Sequence, residues 1–388
     1  MVQSSKKLLV VVSLMPGNGA TGVETHFNLI IEHAAKSGMQ VQLVTPHNTN
    51  WLLRKFPNGI GRLLKKLNVE YAMLWEKMIA SQRLRSELKS LIAKHQDHEI
   101  IFYAQCPSSA AAALAMKKVT PCRVVAVCHF NISEANELVA KNLAVKGGRL
   151  WQQATRIERE TLPAVDQLIF VSKFMSDIVN KRLALQHSQP LIIHNFPAMP
   201  QAVAKQYKNI AGDIIAIGTL EDRKNQNYLL QVLAACKLQG KTYQLTLVGD
   251  GPDCEKLEQL ADALNITKQV NFLGFIKNAS PLIAKHRLLV HASQMESFGI
   301  VVIEAFSYGR PVIAAAVGGI PEVITEGFDG LFWNLDDVKS GAETLISLLE
   351  NPMLLQQMSY QAGQTFQQKF HPDFLASKWL KALKGVAL

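Results

Sequence analysis

At 388 residues, 48% hydrophobic and 19% charged, the chain is too long for one ordinary core and too apolar for disorder, so two or three globular domains are expected. Its five cysteines (Cys106, Cys122, Cys128, Cys236, Cys254) have no C-x-x-C and no short spacings, which argues against a disulfide framework and for thiols of a reducing compartment. The net charge of +10 is uneven, because ten basic and three acidic residues between Arg54 and Lys94 give that segment +7 and a field that draws anionic partners.

The first twenty residues carry two lysines, an apolar run and a small residue, as a signal peptide does, but Lys7–Ser13 makes a better first strand. No stretch reaches the roughly 18 apolar residues of a membrane span, so the expected location is cytoplasmic, or peripheral at the inner face of a membrane. Five more apolar runs follow in the first half: Gln40–Thr45, Glu99–Ala104, Arg123–Cys128, Gln167–Val171 and Leu191–His194. Helical spacing separates the first two, where Phe27, Ile30, Ile31 and Ala34 recur within Glu24–Ser37. Strands alternating with helices predict a parallel sheet covered on both faces.

Phe196–Ile210 has no clear period and reads as a linker. The alternation then restarts with strands Asp213–Gly218, Gln244–Val248, Val270–Phe272, Arg287–His291 and Pro311–Ala314, and helices Gln226–Lys237, Glu255–Leu264 and Val302–Tyr308. A last amphipathic helix carries Phe374, Leu375, Trp379 and Leu383. In the basic segment, Leu63, Leu67, Tyr71, Leu74 and Met78 predict a helix that packs an apolar stripe on the first sheet; the sharper reading adds contact between residues 54–94 and an anionic membrane or acceptor. His95 and His98 flank Asp97 in what reads as a solvated polar turn, not a metal site.

Gly17, Gly19 and Gly22 form G-x-G-x-x-G between the first strand and helix. A nicotinamide dinucleotide site also needs an acid at the end of the second strand, where this chain has Val44-Thr45-Pro46-His47. What remains is a tight turn whose helix start can face an anion.

Three pieces of the second half converge. Gly218-Thr219-Leu220-Glu221-Asp222-Arg223-Lys224-Asn225 places two cations after a strand, suited to a diphosphate. Val248–Pro252 and Phe272–Phe275 are strand-to-turn junctions of the kind that bind ligands in α/β sheets. In Glu296-Ser297-Phe298-Gly299-Ile300, followed by Glu304, a glycine precedes a helix start, with one carboxylate before the turn and one a turn inside.

With these motifs the chain resembles, over nearly its whole length, the retaining GT-B glycosyltransferases with a Glu–seven residues–Glu motif (family four-like, group 1). Gly218–Asn225 looks like that class's diphosphate segment, Val248–Pro252 its G-x-G-P turn, Ser293–Glu304 its double glutamate and Gly318–Glu322 its G-G-x-P-E. Gly22-Val23-Glu24 looks like its glycine loop, and His129 falls where it keeps an active-site histidine. The resemblance implies an α/β fold of two Rossmann-like domains with parallel sheets facing across a cleft. Residues 1–196 would form an acceptor-side domain, 197–371 a nucleotide-sugar domain, and 372–388 a helix returning to the first.

It assigns catalysis to Glu296, His129, Arg223 and Lys224, and donor binding to Gly22, Gly218, Gly249, Gly274, Phe275, Ser297, Phe298, Gly299, Ile300 and Glu304. Departures are Thr219 where many members have arginine, Asn195-Phe196 where many have Asn-Gly, and Phe130 where many have aspartate. The implied reaction moves a hexose-type sugar from a nucleotide-diphosphate donor, with retention, to a hydroxyl of a glycan or lipid-linked acceptor in polysaccharide or glycolipid biosynthesis. The sequence has no D-x-D pair of the metal-binding sort at its sugar-nucleotide motifs, so neither metal nor cofactor is expected, and no nucleic-acid partner. Two alternatives stay open: a GT-B sugar-nucleotide epimerase, and a non-catalytic sugar-nucleotide-binding protein.

Overall fold

The computed structural model describes residues 6–18, 21–47, 60–61, 63–185, 191–202, 204–209 and 211–387. Gly19 of the glycine motif and Arg54, Lys55 and Arg62 of the basic segment lie outside them. The chain divides into two units, Met1–His194 with Leu375–Leu388, and Asn195–Phe374.

In the first unit six strands form one parallel sheet: β1 (Lys6–Val12), β2 (Gln40–Val44), β3 (His98–Ala104), β4 (Cys122–Cys128), β5 (Gln167–Phe170) and β6 (Leu191–Ile192), in the order β2-β1-β3-β4-β5-β6. The near-continuous apolar runs follow from this placement. A central parallel strand is covered on both faces, and Leu8 through Val12 of β1 are fully buried. Helices start at polar caps readable in the sequence: Thr21 forms a capping box with Glu24, and Asn68, Ser133 and Ser172 each accept from a first-turn amide.

The helix Pro372–Lys384 joins the first unit from Leu375 onward. Trp379 is fully buried there and its Nε1 donates to the His194 carbonyl at 3.0 Å. Arg123 Nε donates to the Leu383 carbonyl at 3.2 Å, satisfying a group the helix end leaves open.

The second unit repeats the plan with β7 (Gly212–Ile217), β8 (Leu245–Val248), β9 (Val270–Phe272), β10 (His286–His291), β11 (Val312–Ala315) and β12 (Gly330–Trp333). All pairs are parallel, in the order β12-β11-β10-β7-β8-β9. Three elements go beyond those read from the sequence: β12, a four-residue edge strand, and the helices Val338–Leu349 and Pro352–Thr365.

One expectation is corrected. The apolar stripe of the basic segment does not pack on the sheet: Leu63 and Leu67 are 62% and 77% exposed, and Tyr71 and Met78 are exposed as well. Helical structure stops at Asn68, whose side chain caps a new helix, Val69–Lys94, and so resets the phase of the pattern. That helix instead buries Ala72, Leu84, Leu88, Leu91 and Ile92. His98 differs too, because it opens β3, with Nδ1 on Asp97 at 2.7 Å and Nε2 on Gln40 at 2.8 Å. Among the described residues no helix is long and apolar enough to cross a membrane.

Candidate active site

In the second unit the strand order reverses between β7 and β10, which are neighbours in the sheet. Open α/β sheets bind ligands beyond the carboxyl ends of strands at such a point. The chain that leaves β7 there is Gly218–Asn225, and the chain that leaves β10 leads to Glu296.

Backbone bonds join the neighbouring turns. Gly218 N donates to Val248 O at 2.9 Å, Leu220 N to Asp250 O at 3.1 Å, and Gly249 N to Gly274 O at 2.9 Å. Gly249 has φ +145°, and a Cβ there would lie 1.9 Å from the Gly218 carbonyl oxygen, so this approach requires glycine. Gln294 N donates to Arg223 O at 2.9 Å, tying the β7 turn to the β10 turn.

The charged side chains then meet. Lys224 Nζ lies 2.7 Å from Glu296 Oε2, and Arg223 Nη1 lies 3.9 Å from the same oxygen. Arg223 is held by two other groups: Nη2 is 2.6 Å from Glu221 Oε1, and Nη1 donates to Met295 O at 3.2 Å. His291, the last residue of β10, brings Nε2 to 3.5 Å from Glu296 Oε2. Burial pushes the Glu296 carboxyl up, but Lys224 and His291 outweigh it and hold the group well below the usual range. Glu296 is therefore an anion already matched to cations. Its carbonyl accepts from Gly319 N at 3.0 Å, so the Gly318-Gly319 turn fixes its backbone.

The helix Ile300–Ser307 begins just beyond. Gly299 caps it at φ +88°, without a side-chain cap, and a Cβ there would meet Ile320 Cδ1 at 2.4 Å. Glu304 lies one turn in, half-buried, with its carboxyl pushed up to about 7 by desolvation. Among the described residues no hydrogen bond or ion pair holds that carboxyl. Phe298 is fully buried, with its ring 6.1 Å from Phe370. Ser297 and Ile300 flank the turn half-buried, and Phe275 is exposed beside Gly274.

In the first unit, His129 follows β4 directly, and burial lowers its imidazole to about 3, so it is neutral at pH 7. Its ring packs edge-on against His26 with centroids 5.0 Å apart. His26 sits in the helix Gly22–Lys36, fully buried, with Nε2 2.7 Å from the Tyr103 hydroxyl and its ring 4.6 Å from Trp379. Gly22 opens that helix. Glu24 is absorbed into the loop: Oε1 accepts from Gly17 N at 2.9 Å and Oε2 from Thr21 N at 3.1 Å. The sequence reading missed His26 and His291. His26 lies among the apolar Phe27, Leu29 and Ile30, and His291 is the last residue of a strand, so neither stands out in the chain.

The profile of the family "Glycosyl transferases group 1" matches residues 197–365, and that of "Glycosyltransferase Family 4" matches residues 20–196. The chain belongs to the group 1, family 4-like glycosyltransferases. N-acetyl-alpha-D-glucosaminyl L-malate synthase of Bacillus anthracis is 28% identical over 66% of this chain and 58% of its own length. The chain thus spans about three fifths of the first such relative. A GDP-mannose-dependent alpha-(1-6)-phosphatidylinositol monomannoside mannosyltransferase of Mycolicibacterium smegmatis is 26% identical over 71% of this chain and 73% of its own length. Among solved structures, Anabaena HepE in complex with UDP and glucose superposes with TM-score 0.70 at 17% identity, covering 98% of this chain and 100% of the other. That likeness shows the GT-B fold.

Proposed function

We propose that this group 1 glycosyltransferase moves a hexose-type sugar from a nucleoside-diphosphate donor to a hydroxyl acceptor, with retention and without a metal, in glycoconjugate biosynthesis. The observation that carries the reading is the convergence of Arg223 and Lys224 on Glu296 where the strand order of the second unit reverses. Departure of a diphosphate requires stabilisation of developing negative charge. The two cations and the open helix start at Gly299 are suited to supply it. Glu304, ionisable near neutrality and with no hydrogen-bonding or ionic partner for its carboxyl among the described residues, is suited to accept hydrogen bonds from a ribose diol. Glu296 then positions sugar hydroxyls, and neutral His129 contributes a hydrogen-bonding group, not a charge.

The acceptor is proposed to be lipid-linked or a glycan at a membrane surface. Leu63, Leu67, Val69, Tyr71 and Met78 are exposed in the segment that carries +7, which suits peripheral contact with anionic lipid. The Mycolicibacterium relative, named as a phosphatidylinositol monomannoside mannosyltransferase, supports a lipid. The test is a panel of nucleotide sugars scored for thermal stabilisation, donor hydrolysis and transfer to extracted lipid acceptors. Conversion of the donor to another free nucleotide sugar would favour an epimerase instead, and binding without turnover would favour a non-catalytic protein.

A further inference from the structure

We propose that Glu221 is an internal counter-anion that the donor diphosphate must displace from Arg223, and that it sets donor affinity in this chain. The inference rests on the donor-site reading above and adds a residue to it. Two cations, Arg223 and Lys224, and two carboxylates, Glu221 and Glu296, are joined in one network across the β7 and β10 turns. Their charges cancel, so a dianion entering this network gains little unless one carboxylate gives way.

Glu296 is the worse candidate to leave. Lys224 holds its carboxylate at 2.7 Å, His291 stands 3.5 Å away, and the Gly319 amide fixes its backbone. Glu221 is the better one, since among the described residues its carboxylate has one hydrogen-bonding or ionic partner, Arg223 at 2.6 Å, and the two side chains are 22% and 32% exposed. Position 219 is a threonine, so no second guanidinium stands in this turn to take the phosphates while Arg223 stays bound. Arginine binds a carboxylate and a phosphate with the same planar fork, which makes the exchange chemically direct.

The experiment titrates UDP, GDP and ADP, with the parent nucleosides as controls, into wild-type protein, Glu221→Gln and Glu221→Ala, with thermal melts of each protein alone. Both variants should bind the preferred diphosphate about tenfold more tightly, with no gain for its nucleoside. A gain in affinity is not an effect that disordering the loop can produce. Unchanged or weakened diphosphate binding by folded variants would overturn the inference, because Glu221 would then merely orient Arg223. Equal gains for nucleoside and diphosphate would also overturn it. Failure of the wild-type protein to bind any of the three diphosphates would overturn the donor-site reading itself, and this inference with it.

Discussion

Lys224 Nζ and Glu296 Oε2 lie 2.7 Å apart, so the lysine and the first glutamate of the Glu–seven residues–Glu motif are bound to each other across two turns. Neither is an isolated charge; Lys224 helps to hold the Glu296 carboxyl well below the usual range. Replacing Lys224 with alanine leaves Glu296 with the more distant Arg223 and His291, so its carboxyl should rise toward the ordinary range. Turnover of Lys224→Ala should fall about 10²-fold or more, and wild-type turnover should survive EDTA. Near-normal rates in the variant would remove Lys224 from the donor site.

Glu304 gives a pH signature of stability. Its folded-state value of about 7 lies above the ordinary glutamate value of 4.5, so the native state holds the proton more tightly between those values. Stability is therefore lost as pH rises through that window. Thermal melts from pH 5 to pH 8 should show Glu304→Gln with a flatter profile than wild type and at least equal stability at pH 8. Parallel profiles would mean that this carboxyl is well solvated.

Trp379 pins the last helix to the first unit through burial and its bond to the His194 carbonyl. Trp379→Ala should cost about 3–5 kcal/mol in denaturant unfolding. Trp379→Phe keeps most of the packing and should cost much less, about the worth of one hydrogen bond plus the missing ring atoms. A small loss for alanine would show that the helix docks by other contacts.

The exposed stripe beside the basic segment predicts co-sedimentation with anionic vesicles at low salt, weakened as salt rises. Leu63→Asp with Leu67→Asp should abolish it while leaving the melting temperature unchanged, because both side chains already face solvent. Binding that the double variant leaves intact would place the membrane contact elsewhere.

Much of this was legible in the sequence because it is local. Strand runs such as Lys7–Ser13 are set by neighbouring residues, and the motifs at Gly218–Asn225 and Glu296–Glu304 lie beyond strand ends, where turn chemistry is distinctive. What stayed hidden depends on pairing across the sheet. Strand order brings Tyr103 of β3 to the hydroxyl bond with His26, and the return of the last helix brings Trp379 against the same ring. Nothing near His26 in the chain signals either. The basic segment misled for a related reason: one asparagine restarts the helix, and spacing counted across Asn68 assigned a buried face to residues that are exposed. Glu221 looked like one polar residue in a charged turn until its 2.6 Å contact with Arg223 showed how that turn is balanced.

The most direct test of the central claim is calorimetric titration of UDP, GDP and ADP into wild-type protein, Lys224→Ala and Glu304→Ala, each confirmed folded by its melt. The account predicts that wild type binds at least one of them and that each substitution weakens that binding about tenfold or more. Binding that neither substitution changes would contradict the placement of the donor site at the carboxyl ends of β7 and β10, as would a wild-type protein that binds no nucleoside diphosphate.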